Sequence, residues 1–189
     1  MTILLSILAG AMAAPEPSAN FIQTDMPSGL TSLTMNFFVD PEGRVLECEV
    51  ERSNARVRDE EDFCADAIGK RLGKAAMGAD GAATYGMASA SKIIRSDRNA
   101  RAAALEMPSD ILVSVASMPG GARQQDVFLL AEIDENGAVR HCEQQYEADS
   151  AFAAVACEQA AAHTHEVKRS AQGAPVAYVD TLIVSFVRG

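Results

Sequence analysis

Val39-Asp40-Pro41-Glu42-Gly43-Arg44-Val45-Leu46-Glu47-Cys48 is answered half a chain later by Ile133-Asp134-Glu135-Asn136-Gly137-Ala138-Val139-Arg140-His141-Cys142. Each stretch has an apolar residue, Asp, two variable positions, Gly, a spacer, Val, and Cys three residues on. An apolar strand running into Asp, a turn closed by Gly and a return strand begun by Val together predict a β-hairpin whose return strand carries a cysteine. In the first copy Pro41 sets φ at the first central position of the turn and Gly43 supplies a left-handed residue. Met26-Pro27-Ser28-Gly29 and Met118-Pro119-Gly120-Gly121 carry the correspondence upstream of both hairpins. The 189-residue chain therefore reads as a duplication. Each unit has roughly 80 residues, a size that buries a limited core and is usually stapled by something else.

Outward from the first hairpin, Leu33, Met35, Phe37 and Val39 alternate with polar residues, the period-two pattern of a half-buried strand. Phe38 is the exception. The alternation places Leu46, Cys48 and Val50 on one face of the return strand and Val45, Glu47 and Glu49 on the other. Asp59-Glu60-Glu61-Asp62 puts acids where the first turn of a helix favours them. Phe63, Cys64, Ala67, Ile68, Leu72 and Ala75 follow at helical spacing, Gly78-Ala79-Asp80-Gly81 stops the helix, and Thr84 to Ile94 is a further strand. The plan then restarts. A short strand spans Ile111 to Val115, Val127, Leu129, Ala131 and Ile133 form the outgoing hairpin strand, and Val139 to Gln144 the return. A helix from Ser150 to Val167 has small inner positions, Ala153, Ala156, Cys157, Ala160 and Ala161. Val179 to Val187 is the last strand, with Leu182, Val184 and Phe186 alternating.

These elements predict an α+β protein of two tandem units. Each is a small antiparallel sheet of strand, strand, helix, strand order with the helix packed on it. The expected division is 1–14 an export signal, 15–95 the first unit, 96–109 a linker and 110–189 the second. Ile3-Leu4-Leu5-Ser6-Ile7-Leu8 runs into a small-residue segment in which Ala11-Met12-Ala13 fits a signal-peptide cleavage site. About a dozen apolar residues fall short of the ~20 that a spanning helix needs, so export and release are expected rather than a membrane span.

Cys48 with Cys64 and Cys142 with Cys157 repeat the same placement, one on the return strand and one on the inner face of the helix. Repeat symmetry favours these two disulfides among the three pairings possible, in keeping with an oxidising compartment. The rival reading is metal binding through His141, His163 and His165, but the first copy has no histidine, and residues 163 and 165 do not share a helix face. The expectation is no metal and no cofactor. The net charge of −10, aromatic content of 5% and absence of Trp exclude a basic track or stacking platform for nucleic acid. No nucleophile elbow, P-loop or dinucleotide fingerprint occurs, so the chain is expected not to be an enzyme.

Asp-x-x-Gly turn, Val-x-x-Cys strand, acid-capped helix, Gly173-Ala174-Pro175-Val176 and final strand together resemble the C-terminal domain of TonB-like energy transducers. The resemblance covers about 30–95 and 110–189 as two tandem copies without the family's membrane anchor. It implies a periplasmic, non-enzymatic module that binds a protein or extended peptide, such as a segment of an outer-membrane transporter, or else a structural or assembly protein of the cell envelope. Strand addition is the expected mode, with the final strand as host through Thr181, Ile183 and Ser185. The competing expectation puts this strand inside the sheet or pairs it with the first unit.

Overall fold

The computed structural model describes residues 30–53, 64–72, 75–95, 109–146 and 150–189. The expected signal segment, the expected linker apart from Ser109, the expected turn at 26–29 and the expected acidic start of the first helix lie outside these residues. Strands β1 (Leu30–Val39), β2 (Val45–Ser53), β3 (Ala76–Met77), β4 (Ala83–Arg95), β5 (Ile111–Val115), β6 (Gln124–Ile133), β7 (Val139–Gln144) and β8 (Tyr178–Arg188) form one sheet. Its main path runs β2-β1-β4-β8-β6-β7, with β3 on β4 and β5 on β8. Helix α1 (Ser150–Ala162) packs on β6 and β7. The fold is α+β, dominated by the sheet.

The hairpins form as expected, and the chemistry of the Asp is visible in both. Asp40 Oδ1 accepts from the Glu42 and Arg44 amides at 3.0 and 2.8 Å, and Asp134 Oδ1 accepts from Asn136 and Ala138 at 2.8 and 3.0 Å. A carboxylate that takes two turn amides replaces ladder bonds the turn cannot make. Gly43 and Gly137 both have φ near +80°. Gly137 has a second reason to be glycine, because a Cβ there would meet the His165 carbonyl oxygen. The His165 amide donates to the Gly137 carbonyl at 2.9 Å, as the Leu72 amide does to that of Gly43.

Face assignment on the return strand is corrected by a β-bulge. Phe38 opposes Glu47 while Val39 opposes Val45, so Leu46 is the extra residue. One added residue reverses the alternation beyond it. Val45 therefore shares a face with Cys48, Phe37 and Val39, and Leu46 packs on the other side with Phe38. The second hairpin repeats the shift, with Ile133 opposite Val139 and Glu132 opposite His141.

The first helix is also corrected. Its described part is one turn, residues 64–67, after which Gly69 takes φ +76° and Val45 exchanges backbone bonds with Gly69 and Lys70. A left-handed glycine ends a helix readily. Ile68 and Leu72, predicted to face the core, are about half exposed instead. Gly78 to Ala82 form the turn between β3 and β4. α1 likewise ends at Ala162, before the predicted Val167, because His165 leaves the helix line to reach Gly137.

The core lies mainly under α1, where Val127, Leu129, Ala131, Ile133, Ala156, Ala160, Val184 and Phe186 are inaccessible to solvent. Phe38 belongs to this core and not to the first hairpin's own cluster of Phe37, Val39 and Val45. It stacks on Tyr85 at 5.7 Å and meets Tyr178 edge-on at 6.0 Å. The connection is made by β4 and β8, which pair in parallel at Tyr85–Tyr178 and Gly86–Val179. Phe37 and Phe38 thus bury on opposite faces of a shared sheet, which accounts for the break in alternation.

Candidate functional site

Cys48–Cys64 and Cys142–Cys157 are disulfides, with Cα separations of 5.4 and 5.8 Å, and no cysteine is left free among the described residues. Each ties a return strand to a helical segment. Such bonds persist in oxidising compartments. Among the described residues no helix is long and apolar enough to cross a membrane, and no group of three His, Cys, Asp or Glu side chains is placed to hold a metal. His165 Nε2 lies 2.9 Å from the Ala160 carbonyl, at the end of α1.

Thr181, Ile183 and Ser185 lie on β8, which is an inner strand. β6 pairs along its whole length on one side, while β4 and then β5 occupy the other. Between them the strand is closed by side chains. The Ile183 amide donates to Asp110 Oδ2 at 2.6 Å, and the Thr181 amide donates to Asp180 Oδ1 at 2.8 Å. Ser185 Oγ, itself buried, donates to Asp126 Oδ1 at 2.6 Å. The expected free edge is therefore not at these three residues, and the alternative position, inside the sheet and against the first half, is the one observed.

The sheet path ends at β2 and β7. β2 is bonded at its start to Gly69 and Lys70. β7 pairs with β6 alone among the described strands. The Gln145 amide donates to the Phe128 carbonyl at 2.9 Å. Bonded and non-bonded pairs alternate in an antiparallel ladder, so Glu143 and His141 bond toward β6, and Cys142 and Gln144 present their backbone groups outward.

Beside this edge, on the face away from α1, is a small open cleft of about 40 Å³. Leu130 and Val179 give it an apolar wall, Glu132, His141 and Glu143 a polar one, and the turn from Met77 to Ala79 covers one side. His141 Nε2 stands 3.8 Å from Glu143 Oε2.

The opposite face of the other hairpin is filled. Lys168, buried, places Nζ 3.0 Å from Glu47 and 2.9 Å from Glu166, with the Phe38 ring centroid 5.8 Å away. Burial alone would lower its pKa, but the hydrogen bonds and charges of Glu166 and Glu47 outweigh it and hold the ammonium above its ordinary value. Tyr178 donates its hydroxyl to the Glu166 carbonyl at 2.8 Å, and burial, with Asp180 and Glu166 nearby, pushes its pKa up. Asp134 goes the other way. The Ala138 and Asn136 amides, with Arg140 at 3.2 Å, hold its carboxyl below the usual range. Nothing in the sequence marks Lys168, since a lysine after a helix has the pattern of solvated surface.

Searches against protein-family models, curated proteins and solved structures find no match to this chain.

Proposed function

We propose that the chain is a non-enzymatic binding module of the periplasm, built from two tandem units like the C-terminal domain of TonB-type transducers, that holds an extended protein segment by strand addition at β7. The observation that carries this reading is the outward ladder of β7 at the end of the sheet path, with a cleft beside it. An unpaired strand offers donors and acceptors that an incoming strand satisfies, and adjoining pockets supply specificity. The tandem-unit reading draws on matching registers, since Phe37 opposes Cys48 as Ala131 opposes Cys142, and Val39 opposes Gly86 as Ile133 opposes Tyr178. A segment of an outer-membrane transporter is the partner that the family resemblance suggests.

A photo-crosslinking residue at position 144 of the full chain, compared with one at position 155 on α1, tests the reading. Crosslinking to an envelope protein from 144 and not from 155 is expected. Binding of the crosslinked segment should then be abolished by Gln144→Pro, which removes an outward amide but no bond to β6. Undiminished binding by a folded Gln144→Pro variant would rule out this edge.

A second reading, an envelope structural or assembly protein, is favoured by the pairing of β4 with β8, in which the chain spends one sheet edge on itself. It predicts no crosslink at position 144.

A further inference from the structure

We propose that the cleft beside β7 receives a long cationic side chain, lysine or arginine, from the added segment, just as the opposite face of the sheet receives the chain's own Lys168. The inference rests on the strand-addition reading and adds the chemistry of the residue recognised. Phe38 and Glu47 face each other across β1 and β2, and Glu132 and His141 face each other in the same register across β6 and β7, with Glu143 at the position of Glu49. Over the first pair lies the segment that bonds through the Lys168 carbonyl to the Val176 amide, and over the second lies β3, where Ala76 pairs with Thr84. Both lead into a turn of the same hydrogen bonding, Ser170 to Ala174 and Gly78 to Ala82. Lys168 and Ala76 are thus counterparts.

At the first site a lysine stem fills the space and its ammonium sits between two carboxylates. At the second the counterpart side chain is a methyl group directed at Gly86, His141 stands where the first has Glu47, and the small cleft of about 40 Å³ opens alongside, under the turn from Met77 to Ala79. What the cleft offers is still suited to a cation. Glu132 and Glu143 supply charge, while Leu130, Val179 and the exposed Met77 supply apolar surface for a stem. Lysine and arginine combine an apolar stem with a charged head. A strand added to β7 puts alternate side chains on the His141 and Glu143 face, from which a long side chain reaches Glu132 and a short one does not. The chain's net charge of −10 favours the same partner.

Two synthetic peptides test this on the full-length protein: acetyl-Thr-Val-Thr-Lys-Thr-Val-Thr-amide and the same peptide with norleucine for lysine, titrated by NMR. The expected result is shifts at Glu132, His141, Glu143 and Met77, with the lysine peptide binding about tenfold tighter, as a charge-assisted contact confers. In the Glu132→Gln/Glu143→Gln variant the lysine peptide should fall to the level of the norleucine peptide, whose binding stays unchanged. Equal binding of the two peptides to the unaltered protein overturns the cation site while leaving strand addition standing. Response to neither peptide at millimolar concentration overturns both. Calcium ion shifting the same residues where the lysine peptide does not would make the cleft a metal site and overturn the proposal as well.

Discussion

The two hairpins share their turn, bulge and disulfide, yet among the described residues they bury unequal amounts of apolar surface. Among the described residues the first has three buried residues of its own, Phe37, Val39 and Val45, with Met35, Cys48 and Ala67 around them. The second is the centre of a cluster of thirteen buried residues, including Phe38 from the first. A hairpin that lends an aromatic to the core around the other is not an independent body in energetic terms. The parallel pairing of β4 with β8 and the Lys168–Glu47 contact act in the same direction.

The largest expected effect is therefore at Phe38. It is 1% exposed and packs on two aromatic rings. Phe38→Ala should cost about 3 to 5 kcal/mol in urea unfolding. Slow-exchanging amides of β6 and β8 should lose protection together with those of β1, since the cavity opens in the shared core. Loss confined to β1 and β2 would show that the halves are energetically separate.

The disulfides come next. Their spans are almost equal, 16 and 15 positions, and a loop of this size is worth about 3 kcal/mol in the chain-entropy model. The difference should appear in where the chain opens. Cys48→Ala/Cys64→Ala leaves the first hairpin with its small cluster alone, so exchange there should become fast while β6 stays protected. Cys142→Ala/Cys157→Ala, under the large core, should lower protection across both halves. Identical exchange patterns in the two variants would remove the asymmetry.

The hairpins were legible because a period-two pattern and an Asp-x-x-Gly turn are local signals. Leu46 and Arg140, the bulge residues, leave no local mark, and one inserted residue was enough to reverse the predicted faces. Phe38 stood out in the pattern, but its meaning depends on β4 meeting β8 across almost a hundred residues of chain. Gly69 ends the helix within the helical spacing of Ile68, Leu72 and Ala75, which carries no sign of the break. β8 looked like a host strand because length and β-branching mark strong strands, and the same traits suit the middle of a sheet, where it lies. The cleft leaves no local mark, since its lining comes from the Met77 to Ala79 turn, β6, β7 and β8.

The smallest expected effect is at Lys168, and its sign distinguishes a structural clamp from simple filling. The ammonium is buried, but Glu47 and Glu166 are about half and seven-tenths exposed, so they regain water if it is removed. Lys168→Met keeps an apolar stem over Phe38 and should change stability at neutral pH by less than about 1 kcal/mol. The folded protein holds the Lys168 pKa above its ordinary value of 10.5. The ion-pair contribution is therefore complete below the unfolded value and is lost as pH rises through the folded one. Unaltered protein should lose stability between neutral pH and about pH 11 more steeply than Lys168→Met, with no difference in slope near pH 7. Equal slopes throughout would show that Lys168 acts by filling space, and would weaken the inference drawn from it about a cation in the open cleft.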